Sequence, residues 1–114
     1  ICISYGLRNL ANVEEGLKKV FGLLSDNGRA GLLDFNHSEP NSLEDIFQKI
    51  YLRFVVVPIS KVFQLGKEYS YIEKSIKDFP KGDKLILLAK KIGFKNVEYK
   101  TIFCKQMGML ILEK

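Results

Sequence analysis

"ICISYGLRNLANVEEGLKKVFGLLSDNGRAGLLDF" (Ile1–Phe35) decides the fold. Ile1 to Tyr5 reads as a buried strand, and Gly6 opens the loop after it. Asn12 stands where a helix needs a cap, and Glu15 completes a capping-box-like pair. Val13, Leu17, Val20, Phe21 and Leu24 then recur at helical spacing and form one apolar face. Asp26-Asn27-Gly28 ends the helix with turn chemistry. Ala30 to Phe35 is short and almost continuously apolar, as a buried strand is. Strand, helix, strand with tight turns is a right-handed crossover, so the two strands are parallel members of an α/β sheet.

Downstream, Asn36 to Asn41 is a polar loop, and Ser42 can cap a second helix with Leu43, Ile46, Phe47, Ile50, Phe54 and Val57 on its face. Pro58 ends or kinks it. Tyr69 to Phe79 has helical spacing at Ile72, Ile76 and Phe79, and Pro80 stops it. Asp83 to Ile92 turns Leu85, Leu88, Ala89 and Ile92 inward, with Gly93 as its cap. Val97, Tyr99, Thr101 and Phe103 alternate as a strand, and Met107 to Leu112 follows closely enough to pair only as an antiparallel hairpin. The expected architecture is two parallel strands plus a terminal antiparallel hairpin, flanked by helices, with a helical insertion at about 40–80.

At 114 residues and 46% apolar composition the chain has the size of one domain and can bury a core, which excludes a disordered class. Its net charge of +5 comes mostly from dispersed lysines, as in Lys18-Lys19 and Lys90-Lys91. That pattern reads as a solvated surface rather than a nucleic-acid stripe. Cys2 and Cys104 lie in strand-like runs and read as buried thiols of a reducing compartment. One histidine, His37, and no Cys/His cluster leave no metal site. His37 sits in a polar loop and reads as exposed rather than as a base. The apolar runs are much shorter than the roughly 20 residues that span a bilayer. A start on Ile1 inside an apolar run, and the raw sheet edge it would leave beside the first strand, are what a piece of a longer polypeptide would show.

Several stretches resemble, in order, the C-terminal half of the ubiquinone/menaquinone biosynthesis C-methyltransferases. "ISYGLRN" (3–9) resembles the family's fourth-strand motif, and "VFGLLSDNGRAGLLDFN" (20–36) its helix end, turn and acid-terminated fifth strand. "EYSYIEKSIKDFP" (68–80) resembles its Tyr-x-Tyr and Ser-Ile segment. "LAKKIGFKNVEY" (88–99) and "MGMLILEK" (107–114) resemble the helix-Gly-Phe-strand element and the closing strand. Two departures keep their physical role: Ser25-Asp26-Asn27-Gly28 replaces Lys-Pro-Gly-Gly, and Asp34 replaces Glu.

The resemblance implies the C-terminal half of a Rossmann-like fold that uses S-adenosylmethionine (SAM), the glycine-rich SAM loop lying in a half absent from this chain. It implies C-methylation of a prenylated quinol. The cyanobacterial and plastid branch, acting on 2-phytyl-1,4-naphthoquinone in phylloquinone synthesis, is most similar; demethylmenaquinol or a ubiquinone precursor are the alternatives. Ser4 would then lie beside the cofactor, Arg8 and Asn9 would face the methyl acceptor, and Tyr5, Tyr69 and Tyr71 would contact the substrate. A guanidinium is a donor and not a base, so Arg8 suits stabilisation of a developing naphtholate, with a water held by Asn9 or an acid from the other half taking the proton. The chain alone is expected to be inactive. The implied setting is cytoplasm or plastid stroma, with peripheral membrane contact through the apolar insertion and a homodimer left open, and no nucleic acid. A non-catalytic α/β module binding a protein or nucleic acid is the competing reading.

Overall fold

The computed structural model of the chain describes residues 1–36, 43–51, 53–54, 74–76, 78–102 and 105–114. Along them run β1 (Cys2–Ser4), a 3-10 turn (Leu7–Asn9), α1 (Val13–Leu23), β2 (Arg29–Phe35), α2 (Leu43–Tyr51), α3 (Gly82–Ile92), β3 (Asn96–Ile102) and β4 (Met107–Glu113). The sheet order is β1-β2-β4-β3. β1 and β2 are parallel, with Ser4 opposite Leu33. β3 and β4 form the antiparallel hairpin, which joins the sheet through β4, antiparallel to β2 with Asp34 opposite Gly108. The α/β class, the parallel β1–β2 pair and the terminal hairpin are those expected from the sequence, and they fit part of a Rossmann-like methyltransferase fold.

α1 forms because its cap and its apolar face agree. The Asn12 side-chain oxygen accepts the Glu15 N–H at 3.2 Å, satisfying a donor that the first turn leaves free. The Glu15 carboxylate turns instead to Lys18, 3.3 Å away. Leu17, Val20 and Leu24 are buried. α3 ends at Gly93, whose φ of 114° suits the left-handed cap and lets its N–H reach the Ala89 and Lys90 carbonyls. Both helices pack on one face of the sheet. Leu17, Leu85, Leu110 and Leu112 are almost fully enclosed there, each contributing about 1.5–3 kcal/mol by leaving water. Phe21 and Phe94 close the cluster edge to face at 5.0 Å.

The burial of the first strands differs from the expectation. β1 is the sheet's edge: Cys2 and Ser4 are exposed and only Ile3 turns toward the core. In this chain Cys2 is therefore an exposed free thiol where a buried one was expected; an edge strand has a neighbour on one side only, so its outward residues meet solvent. β2 buries Ala30, Leu32 and Asp34 against the helices, while Gly31, Leu33 and Phe35 on its other face are half-buried. α2 keeps Leu43, Ile46, Phe47 and Ile50 exposed, with Phe54 just beyond it exposed too. Ile76 and Phe79 are buried, as their spacing implies. His37, Ser42, Val57, Pro58, Tyr69, Tyr71, Ile72, Phe103 and Cys104 lie outside the described residues.

Candidate functional site

Because β1 and β2 are parallel, their carboxyl ends share one edge of the sheet, the edge where open α/β sheets bind ligands. Ser4 ends β1, and Tyr5 continues the ladder by donating its N–H to the Leu33 carbonyl at 2.8 Å. Tyr5 then takes a φ of 54°, a left-handed conformation costly for a residue with a Cβ. That reversal throws the chain off the sheet into the turn at Leu7–Asn9, anchored by buried Leu7. The Asn9 amide donates to the Tyr5 carbonyl at 3.1 Å and closes the turn. The Tyr5 ring leans on Phe35 with centroids 5.3 Å apart, and its hydroxyl points to the Met107 sulfur at 3.7 Å.

Arg8, next in this turn, is drawn inward. Its Nε lies 3.0 Å from Asp34 Oδ1, and the two side chains are 8% and 5% exposed. Nε finds no acceptor in hydrogen-bond alignment, so this contact is an ion pair; the distance and burial make it a close one. The aligned bonds to the carboxylate come from the backbone, the Arg8 N–H to Oδ2 at 3.1 Å and the Phe35 N–H to Oδ1 at 2.9 Å. Arg8 Nη1 donates to Ser75 Oγ at 3.3 Å. The guanidinium carbon sits 5.1 Å from the Phe35 ring centre, within cation–π range.

Arg8 also lines a cavity of about 520 Å³ between the turn, the first residues of α1, residues 74–75 and 78–80, and α3. That is within the ~300–1,000 Å³ of small-molecule sites. Lys74, Ser75, Asp78 and Lys84 supply polar groups to its wall, and Val13, Phe79 and Leu88 the apolar part. Glu14 lines it as well; hydrogen bonding to Lys18, and the Lys91 charge, hold its carboxyl below the usual range. Ser4, Tyr5 and Asn9 do not line this cavity.

A second polar group stands at the same end of β2. The Tyr99 hydroxyl donates to the Asn36 side-chain oxygen at 2.9 Å, and the Asn36 amide donates to the Lys105 carbonyl at 2.9 Å. Burial, and then the nearby Asp34 charge, push the Tyr99 hydroxyl's pKa up. Gly108 and Gly82 make room for this ring, since a Cβ on either would run into it.

Arg8 is thus gathered with Asp34, Ser75 and Phe35, while Asn9 closes the turn and Ser4 and Tyr5 stay at the exposed edge. Tyr69 and Tyr71 lie outside the described residues. Sequence reasoning placed Asp34 at the strand end, where such sheets bind ligands, but gave it no contact or role. The signal was present: Asp34 is in phase with Ala30 and Leu32, and a carboxylate on the buried face of a strand needs a cation. Ser75 stood in the quoted Ser-Ile segment, but its pairing with Arg8 carried no such signal, because the two are 67 residues apart in sequence.

The chain is similar along its whole length to known proteins. It is 37% identical over 114 residues to the "2-phytyl-1,4-naphtoquinone methyltransferase" of Thermosynechococcus vestitus, covering 100% of this chain and 50% of that protein. It is 37% identical to the Synechocystis sp. protein of the same name, covering 98% of this chain and 47% of that protein. With "2-phytyl-1,4-beta-naphthoquinone methyltransferase, chloroplastic" of Arabidopsis thaliana it shares 33% identity, over 97% of this chain and 42% of that protein. The chain spans about half the length of the curated relatives it matches. The model of the ubiE/COQ5 methyltransferase family matches residues 1–109, and the chain belongs to that family.

Proposed function

We propose that the polypeptide carrying this chain transfers a methyl group from SAM to a ring carbon of a prenylated quinol, with reduced 2-phytyl-1,4-naphthoquinone as the first substrate to try. Demethylmenaquinol and a ubiquinone precursor are the alternatives within the class. The observation that carries this reading is the cavity lined by Arg8, from the turn that follows β1, in a chain similar throughout to naphthoquinone methyltransferases. The chain would be the C-terminal half of the methyltransferase domain, with residues 40–80 as a helical insertion, and inactive alone.

Ser4 fits a SAM contact: it is a small hydroxyl residue, exposed, at the carboxyl end of the edge strand. When bound, SAM supplies an electrophilic methyl on a sulfonium. The ring carbon would take that methyl with S-adenosylhomocysteine as the leaving group, and the ring proton would pass to water. Arg8 donates to the oxygen beside the reacting carbon and stabilises its naphtholate charge. Phe79, Val13 and Leu88 keep water from the ring. Asn9 shapes the turn that presents Arg8. Tyr5 at the sheet edge, with Tyr69 and Tyr71, contacts substrate.

The exposed apolar residues of α2 support contact with the prenyl tail, or with the membrane into which such a tail partitions. Among the described residues no helix is long and apolar enough to cross a membrane. Cytoplasm or plastid stroma, peripheral membrane attachment and a homodimer belong to this proposal. The test is transfer of labelled methyl from SAM to a panel of reduced prenylated quinones by the full polypeptide. Transfer to the phytylated naphthoquinol supports the reading; a folded, SAM-binding protein that labels no prenylated quinol contradicts it. In the same preparation, salt-sensitive oligonucleotide binding without methyl transfer would favour the binding-module reading.

A further inference from the structure

We propose that Asp34 is a positioning residue for the methyl transfer and acts through Arg8; this rests on the reading given under Proposed function. Asp34 is a buried charged residue on the inward face of β2, 4% exposed. One carboxylate holds Arg8 twice. Oδ2 accepts its backbone N–H, which fixes the turn, and Oδ1 lies 3.0 Å from Nε, which fixes the guanidinium. Ser75 Oγ takes Nη1, and the Phe35 ring lies against the guanidinium carbon. A long, flexible side chain is thereby held at several points while it still lines the cavity. The set orients a cation that a substrate oxygen can reach without first reorganising it, which is how preorganised donors accelerate a reaction.

The carboxylate also serves more donors than an amide can. An Asn in its place offers one acceptor oxygen and a donating NH2 to the Arg8 N–H, the Phe35 N–H and the guanidinium. The buried cation then lacks a counter-charge and leaves its place. A Glu keeps the charge and alters only its reach.

The test uses the full polypeptide with Asp34→Asn, Asp34→Glu, Ser75→Ala, Arg8→Lys and the double Arg8→Lys/Asp34→Asn. Asp34→Asn is expected to lower kcat by about 30-fold or more with SAM affinity changed less than about twofold, and Asp34→Glu to recover most of it. The double variant is expected to be no worse than its poorer single, because the two residues act as one unit. Ser75→Ala, which leaves the ion pair in place, is expected to cost about three- to tenfold in kcat. Should Asp34→Asn not fold, wild-type kcat in Ser75→Ala overturns the proposal. Independently of activity, the Arg8 Nε–H signal in 15N NMR should exchange slowly with solvent in wild type and quickly in Asp34→Asn; unchanged exchange also overturns it. If the wild type methylates no prenylated quinol but this NMR difference appears, the reaction assignment fails and the Asp34–Arg8 positioning stands.

Discussion

Arg8 and Asp34 form a close, buried ion pair that joins the turn after β1 to the carboxyl end of β2, with Nε 3.0 Å from Oδ1. The same carboxylate binds the Arg8 backbone. The pair therefore links the course of the chain to the placement of a cation beside the cavity.

Removing one partner should be costly. Arg8→Met leaves a buried carboxylate without its counter-charge and is expected to destabilise by about 3–5 kcal/mol. Arg8→Met/Asp34→Asn is expected to recover about half of that, since a neutral amide needs no cation and still accepts one backbone N–H. Urea unfolding of the three proteins checks the order. A double variant less stable than Arg8→Met would show that the charge is not the issue.

Tyr99 sets a pH dependence. Its hydroxyl pKa is raised from the ordinary 10.0 by burial and by Asp34. The unfolded chain's tyrosine ionises first, so the stability contributed by the neutral hydroxyl is complete below 10.0 and falls as pH rises from there toward the higher folded value. Thermal melts across that window should show a steeper loss in wild type than in Tyr99→Phe. Parallel curves would rule this contribution out. At neutral pH the Phe variant should lose about 0.5–1.5 kcal/mol for the missing bond to Asn36.

The apolar stripe of α2 separates stability from binding. Phe47 is 57% exposed, so Phe47→Ser should change stability by less than about 0.5 kcal/mol. If the stripe meets the prenyl tail, KM for a phytylated quinol should rise by about three- to tenfold while a quinol with the tail removed is unaffected. Equal effects on both substrates would count against tail contact.

Much of the fold was legible because it rests on local chemistry. The Asn12 cap, the spacing of Leu17, Val20 and Leu24, and the left-handed Gly93 each declare themselves within one turn of chain. The raw edge beside β1 was legible too, and Cys2, read as buried from its apolar run, is exposed in this chain because β1 has a neighbour on one side only. The polar contacts of the site were harder still. Tyr99 reads as one more alternating strand residue until Asn36, 63 positions earlier, accepts its hydroxyl. Arg8 was legible as a charged residue in the right loop, but not as one drawn in by Asp34 and Ser75.

The most direct measurement is methyl transfer to reduced 2-phytyl-1,4-naphthoquinone by the full polypeptide, comparing wild type with Arg8→Ala and titrating SAM binding to both. The account predicts turnover in wild type, a loss of about 100-fold or more in Arg8→Ala, and SAM affinity within about twofold between them. Near-normal turnover in a well-folded Arg8→Ala would contradict it.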